Sequence, residues 1–350
     1  MHQNLTYMKR ICFLLALAVV ALTGCKKGHG TTKVSATGSI YEMLVVCPAV
    51  VYDSIQSVME GDMPCLPQME PYFTLSHVVN SAFDNFLKPT RNILWVDIDA
   101  NRYTTLKAKF STDYWSTPQR VYHIQSPDAE SFMTYWSENG TQIRDWFVRQ
   151  ELDRQAAFYR ASTNKQARQV LQEQFHCDML VNEDYQFLMD TTLPGATRAM
   201  WCCNNKGTMR RDVVVYSYPY TDPATFTLDY LCAKRDSVLG KLITAQVPGS
   251  YMGTEYKVFP PQMRQLTVQK DGFGFEVRGL WKIYNGEAMG GPFVSMTRLD
   301  EVSQRIITAE VFVYAAGQKK RNALRQAEAM LYTLQLEQEM NALNTVQVSN

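Results

Sequence analysis

Residues 319–340, KKRNALRQAEAMLYTLQLEQEM, place Leu324, Ala327, Leu331 and Leu334 on one stripe at helical spacing. A helix with one apolar stripe needs an apolar surface to lie on, and the residues before it supply one. Strands are expected near Met179, at Gln186 to Asp190, Thr197 to Cys203 and Val213 to Tyr218, and again up to Val313. One further helix, Thr227 to Ile243, interrupts that series. Many strands with a helix among them and a helix at the close describe a mainly antiparallel sheet with a long C-terminal helix packed on it, an α+β arrangement.

Upstream, the pattern changes. Tyr41 to Cys47, Phe73 to Val78 and Asn92 to Ile98 read as strands, with helices expected over Val51 to Glu60 and Ser81 to Leu87, so helices and strands alternate. Strands are also expected at Thr104 to Phe110 and Val121 to Gln125. Ser126 followed by Pro127 starts a helix through Phe132, Trp136, Ile143 and Phe147 toward Tyr159, with Asn139-Gly140 expected to kink it. Thr163 with Gln166 has the spacing of a capping box for the next helix, ending near Phe175. Two sheet-and-helix subdomains follow, an α/β one over residues 39–174 and an α+β one over residues 175–350.

The chain begins with an address. Lys9 and Arg10 precede the apolar run Ile11 to Leu22, and Leu22-Thr23-Gly24-Cys25 stands at the cleavage position. This resembles a bacterial lipobox, and the resemblance implies that residues 1–24 are a signal peptide and that Cys25 carries a diacylglyceryl anchor. Stable anchoring takes more than one acyl chain, which such a lipid provides. Residues 25–38, with three glycines and no Leu, Ile or Met, read as a flexible tether. The start is either Met1 or Met8.

The 350 residues hold 35 basic and 34 acidic side chains, a formal charge of +1 that leaves no basic surplus for a nucleic-acid partner. With 46% apolar residues the chain can build a real core, and Ile11 to Leu22 is too short to span a bilayer. Beyond Cys12 and Cys25 there are Cys47, Cys65, Cys177, Cys202, Cys203 and Cys232, at spacings that match neither a zinc knuckle nor a redox pair, so most are expected to be buried thiols.

No nucleophile elbow, Walker loop, metalloprotease helix or dinucleotide fingerprint is present, and neither a metal nor a cofactor is expected. Ser162 and Lys165 have Ser-x-x-Lys spacing, which here is read as a helix cap, and the five histidines do not pair at ligand spacing. Asp97 and Asp99 share a strand face as a carboxylate pair would, although a strand surfacing into solvent gives the same pattern. Gly272 and Gly274 fit a hairpin turn after Asp271. Trp115, Trp136 and Trp146 could stack on a sugar or pack in a core. The most unusual cluster is Arg278-Gly279-Leu280-Trp281 with Met289-Gly290-Gly291-Pro292-Phe293. Paired glycines let backbone approach closely, Arg278 can clamp an anion and Trp281 can stack, so Arg278, Trp281, Gly290 and Gly291 are the ligand-binding candidates, against a tight turn with Trp281 in the core.

Leu66 to Pro71, Arg91 to Leu94, Pro118-Gln119, Lys234-Arg235-Asp236-Ser237, Arg278 to Trp281, Met289 to Phe293, Val313-Tyr314 and Lys320-Arg321 together resemble a family of Bacteroidetes lipoproteins catalogued only as a domain of unknown function. The second half is more loosely similar to accessory domains of the PsbP and Mog1 type. The first resemblance implies no activity, and the second implies a binding or accessory role. The expectation is a non-enzymatic binding or assembly module in the cell envelope, held by Cys25 at the periplasmic face of the outer membrane, with an envelope protein as partner. The alternative is a hydrolase or other enzyme acting on envelope polymers, with its site between the subdomains.

Overall fold

Asn92–Ile98, with its nearly unbroken apolar run, is the central strand of the first sheet in a computed structural model that describes residues 33–244, 247–266 and 273–341. The leader and Cys25 lie outside the described residues, as does the Asp271-Gly272 turn. Backbone pairing is already present at Ala36 and Thr37, whose N–H groups reach Thr117 and Pro89.

The first sheet contains β1 (Glu42–Val46), β2 (Thr74–Val78), β3 (Asn92–Ile98), β4 (Lys107–Thr112) and β5 (Arg120–Ser126), in the order β2-β1-β3-β5-β4. All neighbours are parallel except β4, which closes one edge antiparallel to β5. Parallel strands need crossovers, and α1 (Ala49–Met59) supplies the one between β1 and β2, burying Val51, Ile55 and Met59. No α-helix forms over Ser81 to Leu87. A 3₁₀ turn, Asn80–Ala82, stands there instead, and Asp84 accepts from the backbone N–H groups of Phe86 and Leu87 in a turn that competes with a helix.

The long helix α2 (Ala129–Ala161) runs unbroken through Asn139-Gly140. Gly140 is there for space, since a Cβ would lie 2.9 Å from the Trp136 ring packed over it. Its cap is Asp128, which accepts from Ser131 N–H, two residues later than Ser126. The next helix, α3 (Lys165–Phe175), is capped by Asn164 through Ala167 N–H, and not by Thr163, whose hydroxyl turns back to the Tyr159 carbonyl.

The second sheet is antiparallel throughout and has eight strands. They are β6 (Gln186–Leu193), β7 (Thr197–Asn204), β8 (Arg210–Pro219), β9 (Tyr251–Glu255), β10 (Gln262–Gln265), β11 (Gly274–Tyr284), β12 (Gly290–Asp300) and β13 (Arg305–Tyr314). The order is β9-β11-β12-β13-β8-β7-β6, with β10 beside β9 on the same edge of β11. Helix α4 (Leu228–Leu242), capped by Thr227, covers one face, where Val214, Tyr216, Trp281, Phe293 and Phe312 join Leu231, Val238 and Leu239. Helix α5 (Arg321–Leu331) covers the other, over Val294, Ile307, Ala309 and Val311. The fold is α+β, with a closing helix shorter than its stripe suggested. Thr333 donates to the Met330 carbonyl, and Gln335–Leu336 pair as a short strand with Cys177–Asp178, which ends the helix at Leu331.

Chain from both halves enters one core: Tyr41, Met43, Ile55, Phe73 and Phe147 are continuous with Leu171, Met200, Val294, Leu324 and Leu331. Trp136 is buried in it and Trp146 packs against it, while Trp115 sits with Phe83 and Trp95 on the other face of the first sheet. The six described cysteines are free and buried, and burial pushes the thiols of Cys47, Cys177, Cys202, Cys203 and Cys232 up to about 12. Among the described residues, no helix is long and apolar enough to cross a membrane.

Candidate functional site

Two buried acids, Glu276 on β11 and Glu328 on α5, organise a cluster of charges with three arginines. Strand alternation puts Glu276 and Arg278 on the α5 face, and helical spacing puts Arg325 beside Glu328. Arg278 donates from Nε to Glu276 at 2.6 Å and from Nη2 to Glu328. Arg264, opposite Glu276 in the β10–β11 register, donates to both of its oxygens at 2.8 and 2.9 Å, and Tyr332 adds a hydroxyl at 3.0 Å. Arg325 holds Glu328 at 2.9 and 3.2 Å. Three guanidiniums thus share two carboxylates. Burial alone would raise the Glu276 carboxyl, but Arg278 and Arg264 outweigh it and hold it far below the usual carboxylate range.

This cluster forms one wall of a cleft of about 440 Å³. The opposite wall is α2, through Arg144, Val148, Arg149 and Leu152, with Pro64 and Tyr72 at one end. Arg144 lies over the Tyr72 ring at 4.1 Å and Arg149 over Tyr332 at 4.7 Å, so the walls are joined by cation–π pairs. Five arginines face the cleft against two lining carboxylates, Asp145 and Glu276, both already paired. Arg264 stands at the mouth with 59% of its side chain exposed, whereas Arg278 is buried. Such a surface can receive an anion, and its fixed carboxylates hold the guanidiniums in place beforehand.

Of the ligand-binding candidates, Arg278 lies in this cleft and Trp281, Gly290 and Gly291 do not. Trp281, three positions along the strand, projects to the α4 face, where its ring packs on Phe312 and its Nε1 reaches the Val313 carbonyl at 3.3 Å. Gly291 pairs with Trp281 and Gly290 with Lys282. A Cβ at Gly291 would lie 2.0 Å from the Val313 oxygen and one at Gly290 2.7 Å from the Trp281 oxygen, so both glycines admit neighbouring backbone. The structure therefore separates Arg278 from the other three. Cys25 lies outside the described residues.

Elsewhere, Asp97 accepts from Arg102 at 2.9 Å and from the Tyr103 hydroxyl at 2.6 Å, while Asp99 caps the following turn through Asn101 N–H. Ser162 is the C-cap of α2 and accepts from Asn182. Among the described residues, no group of three or more His, Cys, Asp or Glu is placed to hold a metal ion. Sequence reasoning missed Arg264, Glu276, Arg325, Glu328 and Tyr332. The available signal was the charges inside apolar patterns: Glu276 and Arg278 alternate in a buried strand, and Arg325 and Glu328 interrupt the stripe of α5.

Residues 36–160 match the family model described as Domain of unknown function (DUF8532), and residues 164–333 match that described as Domain of unknown function (DUF4837). The resemblance to domains catalogued without a function holds, through two families where the sequence pointed to one. No curated protein matches the chain.

Proposed function

We propose that this two-family chain is a lipid-anchored cell-envelope protein, tethered by a diacylglyceryl group on Cys25 at the periplasmic face of the outer membrane, that serves as a non-enzymatic binding or assembly module. Its binding site is the arginine cleft, and what it takes there is a carboxylate-bearing segment of an envelope protein. The observation that carries this reading is the unequal sharing of Glu276 and Glu328 among Arg264, Arg278 and Arg325, which leaves one positive charge in a largely buried network facing open space. An incoming carboxylate would balance it. The non-enzymatic reading is supported by the commitment of the acids: a carboxylate pinned by two guanidiniums is a poor general base or acid near neutral pH.

Membrane capture in mild detergent tests this, using the full-length protein and its Arg264→Gln variant. Arg264 is the suitable position because Arg278 and Tyr332 still hold Glu276 without it. The partner recovered with the parent should be lost with the variant; equal recovery would contradict the cleft. Anchoring is tested separately by Cys25→Ala, which should abolish acyl labelling.

A further inference from the structure

A second basic cavity, of about 530 Å³, lies on the other side of the α5 start from the arginine cleft. Its cations come from three directions. Lys206 stands in the turn between β7 and β8, Arg211 on β8, and Lys319 at the entry to α5, where Arg321 also lines the cavity with its guanidinium already donating to Asn322 and the Pro71 carbonyl. Thr208 and Gln326 add a hydroxyl and an amide. The one carboxylate in the lining, Glu70, is turned away into the helix start, where it accepts from the N–H groups of Lys320 at 2.6 Å and Arg321 at 3.1 Å. The helix N-terminus is therefore already satisfied and is not the site. Lys206 is paired with Asp184 at the rim. Arg211 donates from Nη1 to Gln326 at 3.1 Å, but its Nε is buried with no partner, and a buried donor left unpaired is costly.

We propose that this cavity binds a phosphate group, as the free ion or as the terminal phosphoryl group of a monoester. A planar carboxylate suits a single guanidinium fork, whereas cations converging from a turn, a strand and a helix entry suit a tetrahedral oxyanion with several oxygens to share. The site is separate from the arginine cleft and does not depend on its occupant.

The test is isothermal titration of the full-length protein in nonionic detergent with inorganic phosphate, followed by methyl phosphate in competition. Binding should weaken by about tenfold or more in Arg211→Gln, the loss expected for a charge-assisted pair. The Lys206→Gln/Lys319→Gln double variant, confined to exposed side chains, should weaken it as well, so the outcome does not rest on Arg211 alone. Arg264→Gln should leave phosphate binding unchanged, which keeps this site distinct from the cleft. Competition by methyl phosphate identifies a monoester as an acceptable source; its failure confines the cavity to the free ion. Absence of phosphate binding, or binding indifferent to both sets of variants, overturns the proposal.

Discussion

Charge counting in the arginine cleft makes an asymmetric demand on single residues. Glu276→Gln leaves Arg264 and Arg278 facing a neutral amide in a buried network that already carries an excess cation, and should cost about 3–5 kcal/mol. Arg264→Gln removes the excess at an exposed position and should change stability by less than about 1 kcal/mol. Chemical denaturation of both variants checks the pair; equal losses would mean that the cluster is held by geometry alone and carries no net charge strain. Gly291 makes a different demand. The sequence suggested a turn glycine, but what it requires is clearance from the Val313 oxygen, so Gly291→Ala must push β12 from β13 and should cost about 3 kcal/mol. A melting temperature at the parental value would contradict that. The grouping of Arg278 with Trp281 shows why nearness in sequence is a poor guide on a strand: positions three apart point to opposite faces, and parity alone separates these two.

At the scale of elements, the stripe of α5 was legible because Leu324, Ala327 and Leu331 repeat at helical spacing, and so was the antiparallel series it lies on. What begins the helix was not legible. Glu70, 250 residues before Lys320, accepts from the first N–H groups of α5, and Arg321 returns a bond to the Pro71 carbonyl at 2.8 Å. No local pattern encodes a cap contributed from the other end of the chain. The same holds for α2, whose Asn139-Gly140 reads as a break until the Trp136 ring is seen to occupy the space of a Cβ. Glu70→Gln weakens the cap by removing its charge, a loss of about 1 kcal/mol for this kind of contact. Hydrogen exchange should then show faster exchange of the Lys320 and Arg321 amides with the β11–β12–β13 amides unaffected; unchanged exchange at those two amides would mean that Glu70 is not what satisfies them.

For the whole molecule, buried carboxylates on α2 and across the cleft it borders set a pH dependence, Glu151 with partners inside residues 36–160 and Glu276 with partners inside residues 164–333. Glu151, buried on α2, accepts from Arg91 at 2.8 Å and pairs with Arg154, and Glu276 closes the far wall of the cleft that α2 borders. Burial would raise both carboxyls, but the arginines prevail and hold both below the ordinary value of 4.5. Carboxylates depressed in the folded state contribute stability that is fully present above their unfolded value and is lost as pH falls through the folded one. Thermal melts of the parent between pH 7 and pH 3 should therefore be flat until about pH 5 and then fall, the start of the window being set by the unfolded carboxyls. Glu276→Gln and Glu151→Gln each remove one titrating group, so each should lie lower at pH 7 and decline less on acidification. The two glutamates have separate arginine partners, so the double variant should flatten the acid limb by roughly the sum of the two. An acid limb as steep in the double variant as in the parent would place the acid-sensitive carboxylates elsewhere.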